Sequence, residues 1–174
     1  MLQKIDKTYW VVLLIIGGII GILSGYIGPD LIHQIFFKHG DTFWVITPFS
    51  ANIFMFVATG FFVLFCIGMI YKNKVFNYIG IMFFVFSIAT GCYALLGNYI
   101  LVSMNDITTV KSMTNEVYEW NEITEATYLD KYVSDGRKIQ LTFQDGKEET
   151  LEINDFNINK LIEQILIQID IQVN

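Results

Sequence analysis

The chain has 174 residues, 53% hydrophobic, 16% aromatic and only 16% charged, with a formal net charge of −6. A soluble domain carries roughly 25% charged residues, so an ordinary soluble globule is excluded. The acid excess argues against nucleic acid as a partner, because such a surface repels phosphate.

No residue between Lys7 and Asp30 is charged, and Ile, Leu, Val and Gly dominate the run. About 20 such residues cross a hydrocarbon core of about 30 Å, which predicts a first transmembrane helix over about 9–28. Lys4 and Lys7 precede it as in a secretory signal, but the run exceeds a signal's apolar core and no A-x-A site follows, so an uncleaved helix is expected. Gly17, Gly21 and Gly25 fall four apart and line one helical face. Within lipid such a face lets another backbone approach closely, which marks these glycines as helix-packing residues.

The loop PDLIHQIFFKHGD, residues 29–41, holds both histidines. Leu31, Ile32, Ile35, Phe36 and Phe37 suit a short amphipathic helix in the membrane interface. His33 and His39 are six apart, on roughly opposite helical faces, so they make a poor metal pair and read as solvated or interfacial.

Two more charge-free runs follow, 42–71 and 75–105. In ITPFSANIF, Thr47 can cap while Pro48 takes the first helical position, giving a second helix over about 48–71. The connector YKNK at 71–74 forces an antiparallel hairpin with a third helix over about 76–102. On that helix Ser87 and Gly91 form a second packing pair, with Thr90, Ala94 and Asn98 on a neighbouring face. Trp10, Trp44, Tyr71, Tyr78 and Tyr99 lie near the ends of the runs, where amphipathic rings favour the interface. Cys66 and Cys92 sit inside the predicted helices as small apolar side chains. Asn52 and Asn98 are the most polar groups near the spans, and each reads as a bond to a neighbouring helix. With no ionisable residue inside a span, a stand-alone transporter is disfavoured.

Residues 1–104 thus read as a transmembrane domain and 105–174 as a small soluble domain. The latter holds 14 Asp and Glu against 6 Lys and Arg, a local balance of −8. In KIQLTFQDGKEETLEI, Ile139, Leu141 and Phe143 alternate with Gln140, Thr142 and Gln144. Asp145-Gly146 then turns the chain, and Leu151 and Ile153 resume the period of two, a strong hairpin signal. Before it, EVYEWNEITEATYLD reads as one or two strands with Val117, Trp120, Ile123 and Tyr128 as core candidates, and Ser134-Asp135-Gly136 supplies a turn. After it, Asp155 or Asn157 can cap a helix over about 158–169. Its apolar stripe is Ile158, Leu161, Ile162, Ile165 and Ile169. The expected tail is an antiparallel sheet of three to five strands packed against one C-terminal helix, with Trp120, Ile123, Leu141, Phe143, Leu151, Leu161 and Ile165 as core.

The succession YEWNEITEATY, KIQLTFQDG, EETLEI and NKLIEQI resembles the latter part of bacterial pleckstrin-homology-like domains attached to short membrane anchors. Trp120 and Ile123 match the W-x-x-I element of that pattern, Asp145-Gly146 its hairpin turn, and Leu161 with Ile165 its helix stripe. Such domains have about seven strands, whereas residues 105–116 leave room for one short strand. The resemblance implies a cytoplasmic interaction or assembly module without catalysis.

Lys4, Lys7, Lys72 and Lys74 on one side of the membrane, against Lys38 and Lys111 on the other, point instead to a cytoplasmic N-terminus and an extracytoplasmic tail. No catalytic constellation, phosphate loop or Cys/His cluster is present, and no cofactor or metal is expected. The expected function is a non-enzymatic cell-membrane protein that presents its acidic domain to a protein partner, or pairs with itself through its helices. The alternative is an accessory subunit of a larger complex, of transporter or immunity type, docking through the glycine face of the first helix.

Overall fold

The computed structural model describes residues 6–71, 73–129, 137–153 and 156–171. Lys4, Lys72, the Ser134-Asp135-Gly136 turn and the Asp155 cap lie outside them. Three helices are long and apolar enough to cross a membrane: α1 (Lys7–Phe36), α2 (Phe49–Ile70) and α3 (Lys74–Leu96). The protein is a membrane protein with an α+β portion.

That portion holds two antiparallel sheets. The first has four strands in sequential order: β1 (Thr42–Ile46), β2 (Asn98–Ser103), β3 (Asp106–Lys111) and β4 (Thr114–Glu119). The second has three: β5 (Ile123–Tyr128), β6 (Arg137–Phe143) and β7 (Glu148–Ile153), followed by α4 (Phe156–Gln168). Five of these strands, β3 to β7, and α4 fall within residues 105–174, as expected of the tail; β1 and β2, which precede it, bring the described residues to seven strands in two sheets.

The chain forms two compact units, and neither is continuous in sequence. The membrane unit comprises Met1–Ile35, Thr47–Tyr99 and Lys111–Thr114, and the second unit Phe36–Ile46, Ile100–Val110 and Asn115–Asn174. This corrects the division at residue 104. β1 pairs with β2 through Ile46↔Ile100 and Thr42↔Ser103, so the α2–α3 hairpin is inserted between two neighbouring strands. By sequence, residues 98–102 fall in the expected third helix and 42–46 lie before the expected second. The third helix stops at Leu96, not 102, because Gly97 and Asn98 interrupt it and the β-branched and aromatic run after them suits a strand. Apolar runs of that length do not distinguish strand from helix.

α1 also runs past its expected end at residue 28. Pro29 lies inside it, so residues 29–36 continue the helix instead of forming a separate interfacial one. A proline within a helix removes one backbone bond and costs about 3 kcal/mol; here both Pro29 and His33 are fully buried, and their packing offsets that loss. At the start of α2, Pro48 rather than Thr47 is the N-cap, and its side chain has no polar atom to cap with; the Thr47 hydroxyl is bonded to His33.

The second unit closes around one core of both sheets and α4, including Trp120, Ile123, Ile139, Leu141, Phe143, Leu151, Ile162 and Leu166. Alternation produced this: Ile139, Leu141 and Phe143 all face inward, as do Leu151 and Ile153. At the β6–β7 turn, Gly146 has φ +81 and its N–H donates to the Phe143 carbonyl at 2.9 Å, the type I turn with a glycine bulge common in short hairpins. Trp120 anchors the corner between the sheets, its indole N–H donating to the Ser103 carbonyl at 3.0 Å. On α4 the inward residues are Ile162 and Leu166, whereas Leu161 and Ile165 are only half-buried. The stripe is therefore rotated by about one residue from the expected core pair. Val117 points outward at 60% exposure and its neighbour Tyr118 is buried, stacked on Phe143 at 4.0 Å.

Candidate functional site

The glycine stripe of α1 is filled from within the chain. A Cβ at Gly17 would lie 2.3 Å from the Phe62 ring, one at Gly21 2.3 Å from Thr59, and one at Gly25 2.5 Å from Phe56. Those three α2 residues are spaced three apart and form the ridge that the stripe receives. On α3, Ser87 donates to the Ala58 carbonyl at 2.8 Å, and Gly91 packs on the Ala58 methyl. A closer approach escaped the sequence reading: Gly68 and Gly80 bring α2 and α3 together backbone to backbone, since a Cβ on Gly68 would lie 2.9 Å from the Phe76 carbonyl oxygen.

Gly17, Gly21, Ser87 and Gly91 meet around a single open groove of about 320 Å³, floored by Met55, Ala58, Thr59 and Phe62. Gly25 lies farther along, against Phe56. The Thr59 and Ser87 hydroxyls are spent on the Met55 and Ala58 carbonyls, and no lining side chain is ionisable. The groove thus offers apolar contact, without a proton relay or a cation ligand.

The most polar constellation of the membrane unit is centred on His33, which is 0% exposed rather than solvated. Its Nε2 lies 2.7 Å from the Leu95 carbonyl and its Nδ1 2.8 Å from the Thr47 hydroxyl. A carbonyl only accepts, so Nε2 carries the proton and neutral Nδ1 accepts from Thr47. Tyr99 packs on the ring, centroids 5.2 Å apart. One turn earlier, Asp30 accepts from the Asn52 amide at 3.4 Å. His33 therefore ties the end of α1 to the start of α2 and the last turn of α3, and both ring nitrogens are engaged. His39, by contrast, is exposed. Among the described residues, no three His, Cys, Asp or Glu side chains converge as a metal set.

Trp10, expected at the interface, is buried against Phe65 in an edge-to-face contact at 5.5 Å. Cys66 is buried beside them, whereas Cys92 is exposed. Neither protein-family models nor curated proteins match this chain, so function rests on the geometry.

Proposed function

We propose that the protein is a non-enzymatic membrane anchor for a pleckstrin-homology-like interaction domain, which it presents at the membrane surface to a protein partner. The observation that carries this reading is the architecture of the second unit: four strands, a corner at Trp120, three strands and a closing helix, around one core. The resemblance implies about seven strands. The two that residues 105–174 could not supply come from β1 and β2, on either side of the inserted helical hairpin. The 14 acidic against 6 basic residues of the tail favour a basic surface on the partner.

The lysine distribution supports a cytoplasmic N-terminus in a cell membrane and an extracytoplasmic second unit. Two experiments test these statements. Photo-crosslinkers at Thr150 and Gln168, both exposed, should capture a specific protein in native membranes, whereas one at Ile19 should capture lipid; a protein captured only from Ile19 refutes the platform. In a Cys92→Ser background, Gln168→Cys should react with an impermeant maleimide on intact cells and Asn73→Cys should not. The reverse labelling would make the domain cytoplasmic.

A further inference from the structure

The turn joining β3 to β4 is built from Ser112 and Met113, with φ of 50 and 66. Two positive φ values mark the type I′ hairpin turn, for which Asn-Gly or Gly-Gly is favoured and bulky side chains are strained. The turn is nevertheless held firmly, and by the membrane unit, to which Lys111–Thr114 belong. The Met113 N–H donates to the Gly97 carbonyl at 3.1 Å, the Ser112 N–H to the Asn98 side-chain oxygen at 3.0 Å, and the Ser112 and Tyr93 hydroxyls lie 3.4 Å apart. The tip therefore supplies donors to the C-terminal end of α3, where carbonyls lack partners in their own helix.

That attachment fixes its depth. The 23 residues of α3 span about 34 Å at 1.5 Å per residue, just over the hydrocarbon thickness, so its last turn lies at the membrane boundary. Leu96 there is 49% exposed and Met113 57% exposed, and the Met113 N–H is bonded to the Gly97 carbonyl, so an exposed apolar side chain of the turn stands at the level of the last turn of α3. A turn selected for its backbone alone would have glycine at this position. We propose that Met113 is a bilayer contact, an apolar side chain pressed into the headgroup and acyl boundary, and that the β3–β4 tip is a second attachment of the chain to lipid besides its three helices.

The test uses the full chain in nanodiscs of phosphatidylcholine and phosphatidylglycerol. With Cys66 and Cys92 replaced by Ser, Met113→Cys carries an environment-sensitive fluorophore. The emission should be blue-shifted from that of the same label in buffer, quenched by headgroup-borne nitroxide and protected from iodide. Ile19→Cys, at a mid-helix position 58% exposed, sets the hydrocarbon limit. Emission at the buffer value with full iodide quenching overturns the proposal. The unsubstituted chain gives a second reading, independent of labelling: Met113 should resist an impermeant oxidant better than Met104, which is 51% exposed. Equal oxidation of the two methionines also overturns it.

Discussion

His33 has partners 14 and 62 residues away in sequence, which explains why a local reading saw a solvated loop histidine: nothing within one turn reveals Thr47 or the Leu95 carbonyl. Removing the ring leaves a cavity and a carbonyl without its donor. His33→Ala should therefore destabilise the membrane unit by about 2 to 4 kcal/mol, read as a lower unfolding temperature in nanodiscs. His33→Gln keeps one donor and one acceptor and should recover at least half of that loss; equal damage from both would mean that packing, not the two hydrogen bonds, carries the residue. A smaller effect is expected at Asp170, which has φ 64 just beyond α4. The Ile171 N–H reaches the Leu166 carbonyl at 2.9 Å and the Asp170 N–H the Ile167 carbonyl, the paired bonds of a Schellman cap. Glycine meets that φ without strain, so Asp170→Gly should raise stability by up to about 1 kcal/mol, and a loss would show the carboxylate to be needed. Residues such as Leu141 and Phe143, by contrast, were legible, since each is fixed by a period that its immediate neighbours share.

At the scale of elements, the helices were visible from composition but their ends were not. The third helix and β2 lie in one charge-free run broken only by Gly97-Asn98, and it is the pairing partner 42–46, more than fifty residues earlier, that makes the residues after this break a strand. Helix packing was legible in kind: glycine, serine and alanine mark the contacts on all three helices. The stripe on α1 is marked by its regular spacing, whereas the backbone-to-backbone contact of Gly68 on Gly80 has no repeat to mark it. The glycines also provide an internal control, because a Cβ at Gly60 or Gly18 would meet nothing within 4 Å. Gly68→Leu should separate α2 from α3 and cost about 1 to 3 kcal/mol, while Gly60→Ala should be neutral or stabilising through its better helix propensity. Reversible unfolding of each variant in mild detergent reads the difference, and equal stabilities would deny the close backbone contact.

At the scale of the molecule, the second unit cannot be an appended tail, because its core includes Ile46 and Val102 together with Trp120, Leu141 and Ile162. The alternation of β6 and β7 made the tail look self-sufficient, and only long-range pairing shows that two strands are missing from it. A polypeptide of residues 105–174 lacks β1 and β2, exposes the apolar surface those strands cover and leaves the Trp120 indole without the Ser103 carbonyl. A domain of this size has little stability in reserve, so this fragment should give broad, weakly dispersed amide resonances. The register indicates the remedy: Ile46 pairs with Ile100, which places the two ends left by removing the helical hairpin side by side. Joining residues 37–46 to 98–174 through a short Asn-Gly turn should therefore yield a soluble, cooperatively melting α+β domain, in which Trp120→Ala costs about 3 to 5 kcal/mol. If the 105–174 fragment folds as well as the joined chain, β1 and β2 are dispensable and the unit does not depend on its anchor for completion.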